Sequence, residues 1–133
     1  TICKPKGIYG SLKYAGEIII KSYSEVFGLP YSIVRPSALY GERCVSRRVG
    51  QVFIENIIQG KEIIINGDGN EKLDFTYIVD LVDGIEKCCV SNKAVNQTFN
   101  ITFGQGRKIK ELIEILKSEF KNVKITYKEK KKY

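Results

Sequence analysis

The first third of the chain combines a long amphipathic segment, a tight turn and a short apolar strand, and this order restricts the fold more than any other feature. Over Tyr9–Phe27, apolar side chains recur at three- and four-residue steps, which predicts one long helix with an apolar stripe. Gly28-Leu29-Pro30 ends this helix, because glycine suits a helix C-terminus and proline cannot continue one. Tyr31–Val34 is then predicted as a short buried strand that stops at Arg35-Pro36. Helix, turn and apolar strand in this order indicate an α/β fold.

The rest of the chain continues to alternate helical and extended patterns. Further helices are predicted at Val49–Ile58, Tyr77–Val90 and Ile109–Phe120. Further strands are predicted at Glu62–Asn66, Leu73–Phe75, Gln97–Thr102 and Val123–Tyr127. The pattern of predicted helices and strands changes near residue 46, which predicts a subdomain boundary there.

Two glycine-containing segments are predicted to be turns rather than cofactor loops. Gly67-Asp68-Gly69 lies between two predicted strands and opens no helix, so a hairpin turn is favoured over a phosphate-binding loop. Gly104-Gln105-Gly106 does precede a predicted helix, but it lacks the third glycine of a dinucleotide-binding fingerprint. We therefore interpret it as a strand-to-helix turn.

Composition excludes several classes of protein. A chain of 133 residues with 43% apolar and 28% charged residues is typical of one soluble globular domain. Its apolar runs are too short to cross a bilayer and no charged-then-apolar leader opens it, so we expect neither a membrane span nor a secretory signal. There is no histidine, and the four cysteines form no Cys-x-x-Cys pair. We therefore expect no metal site, no disulfide framework and a cytoplasmic location.

The net charge of +7 is partly local. Residues 128–133 form a basic tail with four lysines: Lys128, Lys130, Lys131 and Lys132. Such a run is usually a solvated tail, and attraction to nucleic acid is the alternative. No recognition helix, zinc finger or aromatic stacking motif accompanies the tail, so we do not expect nucleic acid to be the partner.

Tyr9 and Lys13 are the residues with the clearest catalytic chemistry. Residues four apart lie on the same face of a helix, so the hydroxyl and the ammonium can reach one pocket. The positive charge favours the phenolate, which can remove a hydroxyl proton as hydride leaves the same carbon. The pair flanks the apolar stripe, which predicts a half-buried site. The spacing alone is weak evidence, because it recurs at Tyr127 and Lys131, where we assign no function.

Further segments follow this pair in a fixed order: Arg35-Pro36-Ser37-Ala38-Leu39-Tyr40-Gly41, Gly67-Asp68-Gly69 and Leu73-Asp74-Phe75-Thr76-Tyr77-Ile78-Val79-Asp80. Together they resemble the extended short-chain dehydrogenase/reductase family, specifically its NAD-dependent sugar epimerases and dehydratases, which are isomerases and lyases. The resemblance runs from about Tyr9 to Glu119. It implies the later part of a Rossmann-like doubly wound sheet (residues 1–46), followed by a small α/β substrate-binding subdomain (residues 47–127) and the basic tail.

The resemblance implies roles for individual residues. Tyr9 would be the catalytic acid/base, and Lys13 would assist it and hydrogen-bond the nicotinamide ribose. Pro36 and Ser37 would touch the nicotinamide end of the cofactor, which would be NAD, with NADP left open. A nucleotide-sugar would contact four basic residues and one carboxylate: Arg43, Arg47, Arg48, Lys72 and Asp80. A diphosphate needs such basic partners, whereas Asp80 has the alternative of simply occupying the first turn of its helix.

Three positions depart from the family pattern. Ala38 stands where members often carry a substrate-reading asparagine, and Val79 stands where they usually carry the first of two acidic residues. Leu73 stands where an arginine usually grips the diphosphate. Lys72 is its neighbour, but side chains alternate across a strand, so Lys72 should point the other way. The sugar, the base and the choice among epimerisation, dehydration and decarboxylation therefore stay open.

The glycine-rich cofactor loop of the family has no counterpart in these 133 residues. We therefore expect the C-terminal portion of an enzyme, inactive alone, whose missing Rossmann half lies in the same or another chain. With one helix face uncovered, the chain is expected to be marginally stable or to self-associate. Tyr14 and Ile18 predict a homodimer through the Tyr9–Phe27 helix. The alternative is a catalytically inactive, truncated relic that serves as a binding or structural module.

Overall fold

The computed structural model describes residues 3–129, which form four α-helices, one short 3₁₀-helix and eight strands. The helices are α1 (Gly7–Phe27), α2 (Val49–Ile58), α3 (Ile78–Val90) and α4 (Ile109–Glu119), and the 3₁₀-helix covers Asn92–Ala94. The strands are β1 (Ser32–Pro36), β2 (Ala38–Tyr40), β3 (Ile63–Asn66), β4 (Lys72–Leu73), β5 (Phe75–Tyr77), β6 (Gln97–Ile101), β7 (Arg107–Lys108) and β8 (Ile125–Lys128). This mixture of helices and parallel strand pairs confirms the predicted α/β class.

Helix α1 ends where the sequence predicts. Gly28 takes a left-handed φ of 66°, and its N–H donates to the carbonyl of Ser24 at 2.9 Å. No residue of α1 is buried, and its apolar stripe lies on the surface, with Leu12 66% and Val26 72% exposed. None of the helices within residues 3–129 has the length and apolar character needed to cross a membrane.

The described backbone forms two compact units. The first contains the residues up to Arg35 together with Gly84–Asn100, and the second contains Pro36–Asp83 together with the residues from Ile101 onward. The two domains expected from the sequence, residues 1–46 and residues 47–127, are a different division of the chain and stay a prediction.

In the first unit, β1 pairs with β6, and its N-terminal end is held by side chains. Ser32 Oγ donates to the carbonyl of Ala94 at 2.7 Å. The N–H of Tyr31 donates to Asn96 Oδ1 at 3.2 Å. These bonds fix the chain as it leaves the turn after α1 and enters the strand.

The predicted strand limit at Val34 is wrong, because β1 continues through Arg35, whose charge is paired. Arg35 Nε donates to Glu17 Oε1 at 2.7 Å, and a second guanidinium nitrogen donates to the other carboxylate oxygen. The hydrogen bond from Arg35 lowers the pKa of Glu17, and the same bond raises the pKa of Arg35. The Glu17 side chain is only 15% exposed, so this two-bond ion pair joins α1 to β1.

The core of the second unit forms around β3, which runs parallel to β8 with Ile63 opposite Ile125. Ile63 and Ile65 are 0% and 4% exposed, whereas Ile64 between them is 40% exposed, as strand alternation requires. The buried cluster consists of Phe53, Ile63, Ile65, Ile109, Ile113 and Leu116. Each fully buried isoleucine contributes about 2 kcal/mol relative to exposure, so this cluster holds α2 and α4 to the strand pair.

The second unit also contains two smaller strand pairs, which differ from the strand and the hairpin predicted from the sequence. β2 runs parallel to β5, and β4 runs antiparallel to β7. The single strand predicted at Leu73–Phe75 is wrong, because Asp74 interrupts it and its carboxylate accepts the N–H of Gly104 at 3.0 and 3.2 Å. The hairpin predicted at Gly67-Asp68-Gly69 is also wrong, because β3 and β4 pair with β8 and β7 rather than with each other.

Candidate functional site

Tyr9 and Lys13 lie in the first two turns of α1, four residues apart and therefore on one side of the helix. Both side chains are exposed, and Tyr9 keeps 77% of its surface. The expected half-burial of the pair is wrong in this structure, because both side chains are exposed. Between them, Ser11 Oγ donates to the carbonyl of Gly7 at 2.9 Å, so this hydroxyl is already used by the backbone.

Pro36 and Ser37 lie at the junction of two strands. Pro36 is the last residue of β1, and Ser37 is the single residue between β1 and β2. The N–H of Ala38 donates to the carbonyl of Asp74 at 3.1 Å, which fixes the chain directly after Ser37. These residues belong to the second unit with all the predicted substrate contacts, whereas Tyr9 and Lys13 belong to the first.

Residues 41–48 connect β2 to α2 and carry three exposed arginines, and we call this segment the arginine loop. Arg47 pairs with Glu55 of α2 at 3.5 Å, and Arg48 is the N-cap residue of α2. Arg43 and Arg47 have left-handed φ values of 61° and 45°. This conformation costs a residue with a side chain about 1–2 kcal/mol, so it persists only where neighbours hold it.

The start of the arginine loop is held by Gly41 and Glu42. Gly41 has a φ of 138°, and a Cβ at this position would lie 2.4 Å from Ile78 Cγ2 and 3.1 Å from Tyr77 Cε2. Tyr77 Oη donates to the two carboxylate oxygens of Glu42, at 2.9 and 3.1 Å. This bond raises the pKa of Tyr77, while the pKa of Glu42 is lowered first by its own backbone N–H and then by Tyr77. Sequence reasoning did not single out this contact.

Lys72 and Leu73 form β4, and their partners on β7 determine which charges share a face. Lys72 lies opposite Lys108, and Leu73 lies opposite Arg107. Opposite residues of an antiparallel pair point to the same face, so Arg107 shares the face of Leu73 and Lys72 takes the other. The Arg107 guanidinium lies 3.3 Å from Glu111. Sequence reasoning missed Arg107, because only the strand register reveals its neighbour.

Asp80 lies exposed in the first turn of α3, where the helix dipole favours a carboxylate. Its neighbours on β5 have clear structural partners. Thr76, only 3% exposed, accepts the N–H of Phe103 on Oγ1 at 3.2 Å. Together with the bond from Gly104 to Asp74, this contact fixes the turn that follows β6.

The cysteines and carboxylates form no metal centre in the part of the chain that the structure describes, where no three of them come together as ligands. All four cysteines, Cys3, Cys44, Cys88 and Cys89, are free. The thiol of Cys44 lies within the arginine loop, and its pKa is lowered chiefly by the backbone N–H of Arg48. The three exposed arginines of the loop, rather than this thiol, supply the positive charge that suits an anionic ligand.

Known proteins resemble this chain over most of its length. Residues 1–102 match the NAD dependent epimerase/dehydratase family. A putative UDP-glucose 4-epimerase from Methanocaldococcus jannaschii is 35% identical over 118 residues, which are 86% of this chain and 38% of the relative.

Two solved structures extend this similarity to the fold. UDP-glucuronic acid 4-epimerase from Bacillus cereus, with UDP-glucuronic acid and NAD, is 26% identical, with a TM-score of 0.90 over 97% of this chain and 42% of that chain. UDP-glucose 4-epimerase from Thermotoga maritima, with UDP-glucose, is 29% identical, with a TM-score of 0.83 over 93% of this chain and 41% of that chain. The chain therefore spans about two fifths of the length of these relatives.

Proposed function

The chain belongs to the NAD-dependent epimerase/dehydratase family, and we propose that it supplies the catalytic helix and the substrate-binding part of an enzyme that acts on a nucleotide-sugar. The observation that carries this proposal is the pair Tyr9 and Lys13, four residues apart on one side of α1 in a member of this family. Because the chain spans about two fifths of the length of its relatives, the activity of the whole protein is part of the proposal.

The residues of α1 fit the nicotinamide end of NAD, because both Tyr9 and Lys13 are exposed and lie on one side of the helix. When bound, NAD would accept and return a hydride. Tyr9 would take the proton of the substrate hydroxyl as the hydride leaves the same carbon, and return it in the reverse step. Lys13 would hydrogen-bond the nicotinamide ribose, and Pro36 and Ser37 would border the ring. The NAD in the Bacillus cereus structure supports NAD as the cofactor.

The arginine loop is the proposed diphosphate site. Guanidinium groups bind phosphate oxygens through two parallel hydrogen bonds, and Arg43, Arg47 and Arg48 are all exposed. Arg107 would add a charge on the face of Leu73, and Lys72 and Asp80 remain proposed contacts at the edge of the site. The UDP-sugars bound in the two solved relatives support a UDP-sugar as the substrate class.

UDP binding tests this proposal directly on the 133-residue chain. We predict that the double variant Arg47→Gln, Arg48→Gln binds UDP at least about tenfold more weakly, because the loss of even one charge-assisted hydrogen bond costs about 1.5 kcal/mol. Isothermal titration calorimetry with UDP and UMP measures the change and separates the second phosphate from the base.

A charge-matched control accompanies this titration. Lys117→Gln with Lys121→Gln removes the same charge from an exposed part of the chain outside the arginine loop. An equal loss of affinity in the control would attribute binding to net charge. Absence of UDP binding to the unaltered chain would contradict the proposed function and favour the non-catalytic relic.

We also propose that the chain forms a homodimer through α1, in addition to contacts with a Rossmann half. The support is the pair Tyr14 and Ile18, which lie four residues apart on one side of this helix, with Tyr14 half-buried and Ile18 50% exposed. We predict self-association in sedimentation velocity at tens of micromolar chain, reduced by Ile18→Glu. Val45→Glu is the control, because Val45 is 93% exposed in a loop. A monomer at every concentration would contradict the dimer.

A further inference from the structure

Three successive residues attach the start of the arginine loop to the junction of β5 and α3. Tyr40 pairs in register with Tyr77, and their ring centroids lie 5.4 Å apart. Gly41 packs on Ile78 so closely that no Cβ fits. Glu42 accepts the hydroxyl of Tyr77 at 2.9 and 3.1 Å. The backbone of the arginine loop is therefore held in place as far as Glu42.

Beyond this attachment the loop has an unfavourable backbone and weaker support. Arg43 and Arg47 have left-handed φ values of 61° and 45°. Residues other than glycine rarely adopt such values without support from their neighbours. At the far end, Arg47 pairs with Glu55 at 3.5 Å, with the two side chains 67% and 33% exposed. Exposed ion pairs contribute little. The bond between Tyr77 and Glu42 is also exposed, but it is 2.9 Å long and follows directly on the pairing of Tyr40 with Tyr77 and the packing of Gly41 on Ile78. Of these two contacts it is therefore the better placed to order the loop.

We propose that Tyr77 and Glu42 are positioning residues that hold the arginine loop in the conformation that binds the diphosphate of a nucleotide-sugar. This inference rests on the proposed function of the loop arginines. Neither side chain touches the diphosphate; both act through the loop backbone. A loop that is ordered before binding loses less conformational entropy on binding, so its order contributes to affinity.

The hydroxyl of Tyr77 can be removed without removing its ring. In Tyr77→Phe, we expect the backbone amides of residues 43–48 to exchange hydrogen about tenfold faster, while those of β3 and α4 are unchanged. Tyr40→Phe is the matched control, because it removes a phenolic hydroxyl from the adjacent ring and leaves the bond to Glu42 intact. Glu42→Gln keeps an acceptor and should resemble the unaltered chain, whereas Glu42→Ala should resemble Tyr77→Phe.

UDP titration of the same variants links loop order to binding. We expect the affinity for UDP to fall about fivefold in Tyr77→Phe and in Glu42→Ala, and to stay the same in Tyr40→Phe. Unchanged hydrogen exchange in Tyr77→Phe overturns the inference whatever UDP does. Faster exchange with unchanged UDP affinity also overturns it, because loop order would then not serve binding. If the unaltered chain binds no UDP, the proposed function fails and the positioning role falls with it, while faster exchange would still identify a structural contact.

Discussion

Gly41→Ala is expected to lower the free energy of unfolding by about 3 kcal/mol. The φ of 138° at this position favours glycine, and the added Cβ would lie 2.4 Å from Ile78 Cγ2. Backbone strain of this kind costs about 1–3 kcal/mol, and overpacking costs a similar amount. Ile78 has little freedom to move away, because it is the first residue of α3 and directly follows β5. Urea unfolding followed by circular dichroism measures the loss.

Two further variants separate strain from overlap at Gly41. Gly60 has a φ of 67°, and a Cβ added there would meet nothing within 4 Å, so Gly60→Ala should cost only about 1 kcal/mol. Ile78→Ala removes the atom that the new Cβ would meet, so the added cost of Gly41→Ala should shrink in that background. If Gly41→Ala costs no more than Gly60→Ala, the contact with Ile78 relaxes and the argument from overlap is wrong.

The helices could be predicted from the sequence because the patterns that define them are local. The limits of α2, Val49–Ile58, agree with the prediction, and α1, α3 and α4 differ from it by one or two residues. Apolar periodicity defines each helix, and Gly28 ends α1 through its own left-handed backbone. Neither signal depends on residues far away in the chain.

The strand pairs were harder to predict from the sequence, because each pairing joins residues that are far apart in the chain. β3 finds its partner about sixty residues later in β8, so the glycine-rich turn after β3 does not form the predicted hairpin. Asp74 divides one predicted strand into two because its carboxylate accepts an N–H from Gly104, thirty residues later. Turn residues and alternation carry no information about such partners.

The residues of the candidate site likewise fall into those that the sequence predicts and those that only the strand pairing reveals. Tyr9 and Lys13 could be chosen because their spacing and the segments that follow them are readable in order. Arg107 could not, since its place beside Leu73 depends on the register of β4 and β7. The bond between Tyr77 and Glu42 likewise joins residues 35 positions apart, after β2 and β5 have paired.

Tyr9→Phe is expected to lower kcat by at least about 100-fold in an active enzyme that contains this chain, because a positioned acid/base contributes about 10²–10⁴-fold. Phenylalanine keeps the ring on α1 and removes only the hydroxyl that would take the substrate proton. A suitable enzyme is a chimera in which the 133 residues replace the matching segment of the Methanocaldococcus jannaschii relative. The measurement is interconversion of the C4 epimers of UDP-glucose, with the parent relative assayed beside it.

The same assay distinguishes a catalytic pair from a chance spacing. Tyr127→Phe is the matched control, because Tyr127 also precedes a lysine by four residues, although Lys131 lies outside the described residues. Its kcat should match that of the chimera, whereas Lys13→Met should lower kcat with Tyr9 intact. Because Tyr9 is proposed to act in the chemical step, its loss should leave UDP affinity unchanged. Equal activity of the Tyr9→Phe and Tyr127→Phe enzymes would contradict the assignment, and a fall in UDP affinity with unchanged kcat would make Tyr9 a binding residue instead.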